Sequence, residues 1–130
     1  MGMDLIRDDD RVYINYYFWG RLCAFAIEGG WNPMGTLPPE SYTEEEKANW
    51  SGTYFVNYYQ IIASEDALSM AFALEKMLLT LGEEVERADS GTSLCGGIDD
   101  QPRDVFIIKE NREMLEEWIN FLKGGACAIG

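Results

Sequence analysis

The sequence predicts an α+β fold, three principal helices packed with a small antiparallel hairpin or sheet, and three observations carry that prediction. Apolar residues recur at steps of three and four in three separate stretches, each bounded by residues that start or stop helices. Residues 52–63, rich in tyrosine and isoleucine, read instead as short extended segments. With 130 residues, 47% of them hydrophobic and 13% aromatic, the chain can bury one core without disulfides or metals, so a single domain over residues 1–130 is expected.

Residues 1–10 hold Asp4, Asp8, Asp9 and Asp10 and are expected to be mobile; residues 11–18 begin as extended chain. Helical spacing takes over at Trp19, Leu22, Cys23, Ala26 and Ile27. Asn15 is the expected N-cap and Gly29 with Gly30 the stop, which places the first helix over Tyr16–Glu28. Pro33, Pro38 and Pro39 make the next stretch an irregular connector, with Trp31 and Leu37 able to pin it to the core. Residues 41–49 offer two capping boxes, Ser41 with Glu44 or Thr43 with Glu46, and one short helical turn. Residues 53–56 and 60–62 are expected to pair as a hairpin around Asn57 and Tyr58.

Residues 64–82 form the element the rest is expected to pack around. Ala67, Ala71, Leu74, Leu78 and Leu81 make one apolar face, Ser64 is the expected N-cap, Glu65 and Asp66 suit the positive end of the helix dipole, and Gly82 is the expected stop. Phe72 and Leu79 lie off that stripe. Residues 83–103 read as a long acidic, glycine-bearing loop, and a loop of that length in a compact domain usually has a function or no fixed structure. Residues 105–108 are an apolar run of strand length. The third helix spans 111–123, capped by Asn111, with Met114, Leu115, Trp118, Ile119 and Leu122 on its buried face and Gly124 and Gly125 ending it; residues 126–130 suit one more strand.

The net charge is -13 and histidine is absent, so the surface repels nucleic acid and anionic membrane; it favours basic partners or simple solubility. No stretch is long and apolar enough to span a bilayer and the first residues lack a signal-peptide pattern, so a cytoplasmic protein is expected. Cys23, Cys95 and Cys127, an odd and widely spaced set, fit reduced thiols.

Residues 30–36, Gly-Trp-Asn-Pro-Met-Gly-Thr, and residues 52–67, with Tyr54, Asn57, Gln60, Ile62, Asp66 and Ala67 at their present spacing, form two distinctive stretches. Together with the glycine-ended C-terminal helix they resemble a group of small acidic bacterial proteins of uncharacterised function. Members of that group often carry glycine where this chain has Tyr59. The resemblance supplies no activity.

Chemistry is limited by what is missing. Without histidine the usual nucleophile–base triads are excluded, and Cys95 stands near Asp89, Asp99 and Asp100, which disfavour a thiolate. The glycines near 91–97 lack the lysine of a phosphate loop. The acidic runs 8–10, 44–46, 83–84 and 99–100 lack the alternating ligands of a calcium loop. No cofactor is expected. What remains is an aromatic surplus, Tyr13, Tyr16, Tyr17, Phe18, Trp19, Tyr54, Tyr58 and Tyr59, which fits either a large core with partly exposed rings or a partner surface. The interaction candidates are Trp31, Tyr54, Tyr58 and Tyr59 as aromatic anchors and Glu83, Glu84, Glu86 and Asp89 as an acidic end. The expected function is a small acidic protein-interaction module, of the immunity or inhibitor kind, that binds a basic partner and is able to self-associate. The alternative is a divalent-metal hydrolase or small-ligand binder using clustered carboxylates.

Overall fold

Residues 2–87 and 102–130 are described by a computed structural model. Nine elements follow in chain order: β1 (Leu5–Arg7), β2 (Asp10–Val12), α1 (Tyr16–Glu28), α2 (Glu44–Ala48), β3 (Gln60–Ile62), α3 (Ser64–Arg87), α4 (Pro102–Phe106), α5 (Lys109–Leu122) and β4 (Cys127–Ile129). The fold is α+β. The four strands form one antiparallel sheet in the order β2-β1-β4-β3.

Alternation along the strands sorts the sheet into two faces. Met3, Leu5, Ile14, Ile62, Cys127 and Ile129 are buried with the helices, in a core that also holds Trp19, Phe25, Met70, Leu74, Leu115 and Leu122. α3 packs against both α1 and α5, so the 64–82 stretch is the organising helix, and Leu74 at its centre is 0% exposed. Phe72 and Leu79 point to solvent, 75% and 73% exposed, so among the described residues nothing covers that side of α3.

Several boundaries follow the local chemistry. The Asn15 side chain accepts from the Phe18 amide and Gly29 closes α1, while Thr43 and Glu46 form the capping box of α2. Others differ from expectation. α3 runs through Gly82 to Arg87; the glycine lies in open space mid-helix, a weakening of about 1 kcal/mol relative to alanine that the flanking turns absorb. Ser64 begins the helix rather than capping it. The expected loop over 83–103 is therefore helical at both described ends, and residues 88–101 lie outside the described residues.

The expected strand over 105–108 does not form: Val105 and Phe106 end α4, and Ile107 and Ile108 link it to α5. Pro102 takes the first helical position, where its missing N–H costs nothing, and Phe106 packs its ring 5.2 Å from that of Phe25. Asn111 does not cap α5, which starts two residues earlier; its side chain donates to the Val105 carbonyl at 2.8 Å and ties α4 to α5. Residues 1–10, expected to be mobile, contribute β1 and the start of β2, joined by a two-residue turn in which Asp8 takes φ 51°.

The expected 53–62 hairpin does not form. Residues 53–56 make no strand because the buried Gln60 side chain satisfies that loop from within: it donates to the carbonyls of Thr53 and Val56 and accepts from the Tyr58 amide. β3 pairs with the C-terminal strand instead, Ile61 opposite Ala128, and on its other side Leu37 makes a single bridge to Ile61.

Candidate interaction surface

The two aromatic stretches of the sequence separate in space into a buried framework and an exposed face. Trp31 and Tyr54, both expected as anchors for a partner, are buried at 2% and 7% exposure and are corrected to core residues. Each satisfies its polar atom on Asp66, itself 0% exposed. The Trp31 indole donates to Asp66 Oδ1 at 2.9 Å, the Tyr54 hydroxyl donates to Oδ2, and the Met34 amide also reaches Oδ1. The Gly35 amide donates in turn to the Tyr54 hydroxyl, and the Trp19 indole to the Tyr54 carbonyl. A carboxylate in the first turn of α3 thereby fastens the 31–36 connector and the 53–56 loop to the core. Trp31, Tyr54, Gln60 and Asp66, four of the residues that make the two stretches distinctive, are thus accounted for by hydrogen bonding and packing.

The thiols do not make a nucleophile. Burial, and after it the charge of Asp66, pushes the Cys23 thiol far above its ordinary range, and burial pushes Cys127 up to about 11 despite nearby Arg7. Cys95 lies outside the described residues. Among the described residues no three acidic, cysteine or histidine side chains come together as a metal site. The acidic runs over 8–10 and 44–46 lie on the surface, in the β1–β2 turn and the first turn of α2.

The other face of the sheet is the site the geometry builds. Its central row reads Arg11, Ile6, Ala128, Ile61, continued by Leu37 through its bridge to Ile61. Two exposed tyrosines lie on it, each in the space above a glycine. At Gly2 a Cβ would overlap the ring of Tyr13, and at Gly130 a Cβ would come within 2.6 Å of the Tyr59 ring and 2.7 Å of Ile6. The two rings are therefore laid against the backbone, yet remain 62% and 59% exposed. Beside Tyr59 an open groove of about 480 Å³ is lined by Pro39, Glu40, Ser41, Tyr59, Ile61 and Ala128.

Tyr59 is held there by an unusual backbone. Its amide donates to the Ile129 carbonyl at 2.8 Å although Ile129 is the partner of Gln60, so two residues of this strand face one of β4. That is a bulge whose first position favours glycine, and Tyr59 occupies it with φ 68°. A bulky residue in the left-handed region costs on the order of 1 kcal/mol or more, a strain that concentrates at functional positions.

Of the remaining sequence candidates, Tyr58 is 55% exposed in the loop next to Tyr59, and Glu83 is exposed on α3. Glu84 and Glu86 fall in the last turns of α3, and Asp89 lies outside the described residues. Tyr13 stands in the aromatic surplus with no face assigned to it, Leu37, expected to pin the connector to the core, is 49% exposed and bridges Ile61 at the sheet edge instead, and Ile6 carries no sequence signal for this face. For Tyr13 the signal is the alternation of Arg11 and Tyr13 with Val12 and Ile14, which places its side chain on the same side as Arg11. Compared with family models, curated proteins and solved structures, the chain matches none of them.

Proposed function

We propose that this chain is a small acidic protein-interaction module of the immunity or inhibitor kind, acting in the cytoplasm by binding a basic partner. The observation that carries the reading is the outer sheet face, where Tyr13 and Tyr59 lie flat and exposed on a chain of net charge -13. Exposed tyrosines laid against the backbone beside the strands supply contact area at small entropic cost, and the negative field steers a basic partner toward them. The acidic end of α3 at Glu83 adds to the field rather than to the contact.

The test is capture from native lysate on the immobilised protein at low salt, followed by elution with a salt gradient and mass spectrometry. A basic protein retained in stoichiometric amount and released by salt is the expected result. Retention of no basic protein overturns the reading, and sedimentation of the free chain establishes whether it also pairs with itself.

A further inference from the structure

We propose that the outer sheet face docks an extended, arginine-bearing segment of the partner, a guanidinium lying on the Tyr59 ring with the Glu40 carboxylate as its counter-charge. The proposal rests on the basic-partner reading above and adds the place and the chemistry of contact.

Tyr59 and Glu40 line the same open groove, with Ile61, Ala128 and buried Pro39 as its apolar surface. An arginine matches that combination: its methylene stem lies along apolar side chains, its planar head stacks on a tyrosine face, and its fork of donors pairs with a carboxylate. Glu40 is exposed and makes no ion pair among the described residues, so its charge is available. The one cation in the central row, Arg11, is already paired with Asp4 at 3.1 Å and does not oppose an incoming base. The same stacking occurs among the described residues, with Arg21 over the Tyr17 ring at 4.0 Å and Arg7 over Phe121 at 4.3 Å.

The shape favours an extended segment. Four strands give a platform about 14 Å across, the reach of four or five extended residues. Because Tyr13 and Tyr59 stand at separate positions on this face, side chains spaced along one segment meet both rings. A second copy of the chain is disfavoured by a charge of -13 on each, and a nucleic acid by phosphate repulsion from the same surface.

The probe is a short fluorescent peptide of alternating arginine and threonine, followed by anisotropy at low salt, with lysine and citrulline versions alongside. Tyr59→Gly removes the ring while relieving the backbone, so the fold is kept, and thermal melting verifies it. Tyr59→Gly and Glu40→Gln should each weaken arginine-peptide binding about fivefold or more, as loss of a stacking or charge-paired contact implies. The lysine peptide should bind less tightly than the arginine peptide, and citrulline should not bind. Glu117→Gln, on the exposed side of α5, should change nothing. In amide-resolved NMR the shifts should centre on Tyr59, Ile61, Ala128 and Gly130. Shifts centred elsewhere, or equal affinity in the Tyr59 and Glu40 variants, overturn this placement and leave the basic-partner reading standing. Absence of saturable arginine-peptide binding also overturns it, and the lysate capture then decides the broader reading separately.

Discussion

Arg7 holds Phe121 in two ways at once: its guanidinium donates to the Phe121 carbonyl at 2.7 Å and lies 4.3 Å above the Phe121 ring. Further bonds to the carbonyls of Gly125 and Ala126 make one β1 side chain the C-terminal cap of α5. Gly124 is needed there because a Cβ would overlap the guanidinium. Arg7→Ala should cost about 2 kcal/mol in urea unfolding, given charge-assisted bonds that are only partly exposed. Arg7→Lys should recover less than half, since an ammonium cannot reach three carbonyls in one plane.

Leu74→Asp should abolish cooperative unfolding, because it places a charge without a partner at a position with 0% exposure. Glu75→Ala, one residue on, should cost well under about 1 kcal/mol, since its pair with Lys123 lies at the surface. Thermal melts compare the two. A Leu74→Asp melt like that of the parent would remove α3 from the centre of the fold.

Asp66→Ala should cost about 3 kcal/mol or more, well beyond an ordinary core truncation of that size, because it leaves two buried donors and a partly buried amide without an acceptor. Loss of near-ultraviolet dichroism from Trp31 and Tyr54 should accompany the fall in stability.

Tyr59→Gly should be more stable than Tyr59→Ala by about 1 kcal/mol, since both lose the ring but only glycine relieves φ 68°. Equal stability of the two variants would show that the backbone there is not strained.

Stability should fall as the pH rises above about 9. Cys23 and Cys127, ordinarily near 9.0, and Tyr54, ordinarily near 10.0, all keep their protons longer when folded, chiefly because they are buried. The unfolded chain therefore binds fewer protons in this window, so unfolding becomes easier with pH, by up to about 1.4 kcal/mol per pH unit per group. Denaturant midpoints between pH 8 and 11 test it, and Cys127→Ala should make the decline shallower.

Much of the helical architecture is legible in the sequence because its signals are local. Asn15, Thr43 with Glu46, and Gly29 act within a few residues of where they stand. The sheet is not legible in that way. Gln60 removes the expected hairpin through bonds made by a side chain, and the partner of β3 lies more than sixty residues away. The site divides similarly. An aromatic surplus is visible in composition, but tyrosines that are core (Tyr54) and tyrosines that are surface (Tyr59) differ only in which side of the chain they leave. Asp66 reads as a helix-dipole residue and gives no sign that two aromatic donors converge on it.

The central place of β4 makes the order of folding a matter of topology. Leu5 pairs with Ile129, and Gln60 with the same residue from the other side, so the β1–β2 hairpin and β3 are not joined into one sheet until residues 127–129 are in place. Helix pairing between α1 and α3 needs far shorter loops and can precede it. The outer face that carries both tyrosines is therefore completed late in folding, and is incomplete in any form in which β4 has not docked. A partner that recognises that face reads the completed molecule, and binding itself reports that the last strand has docked.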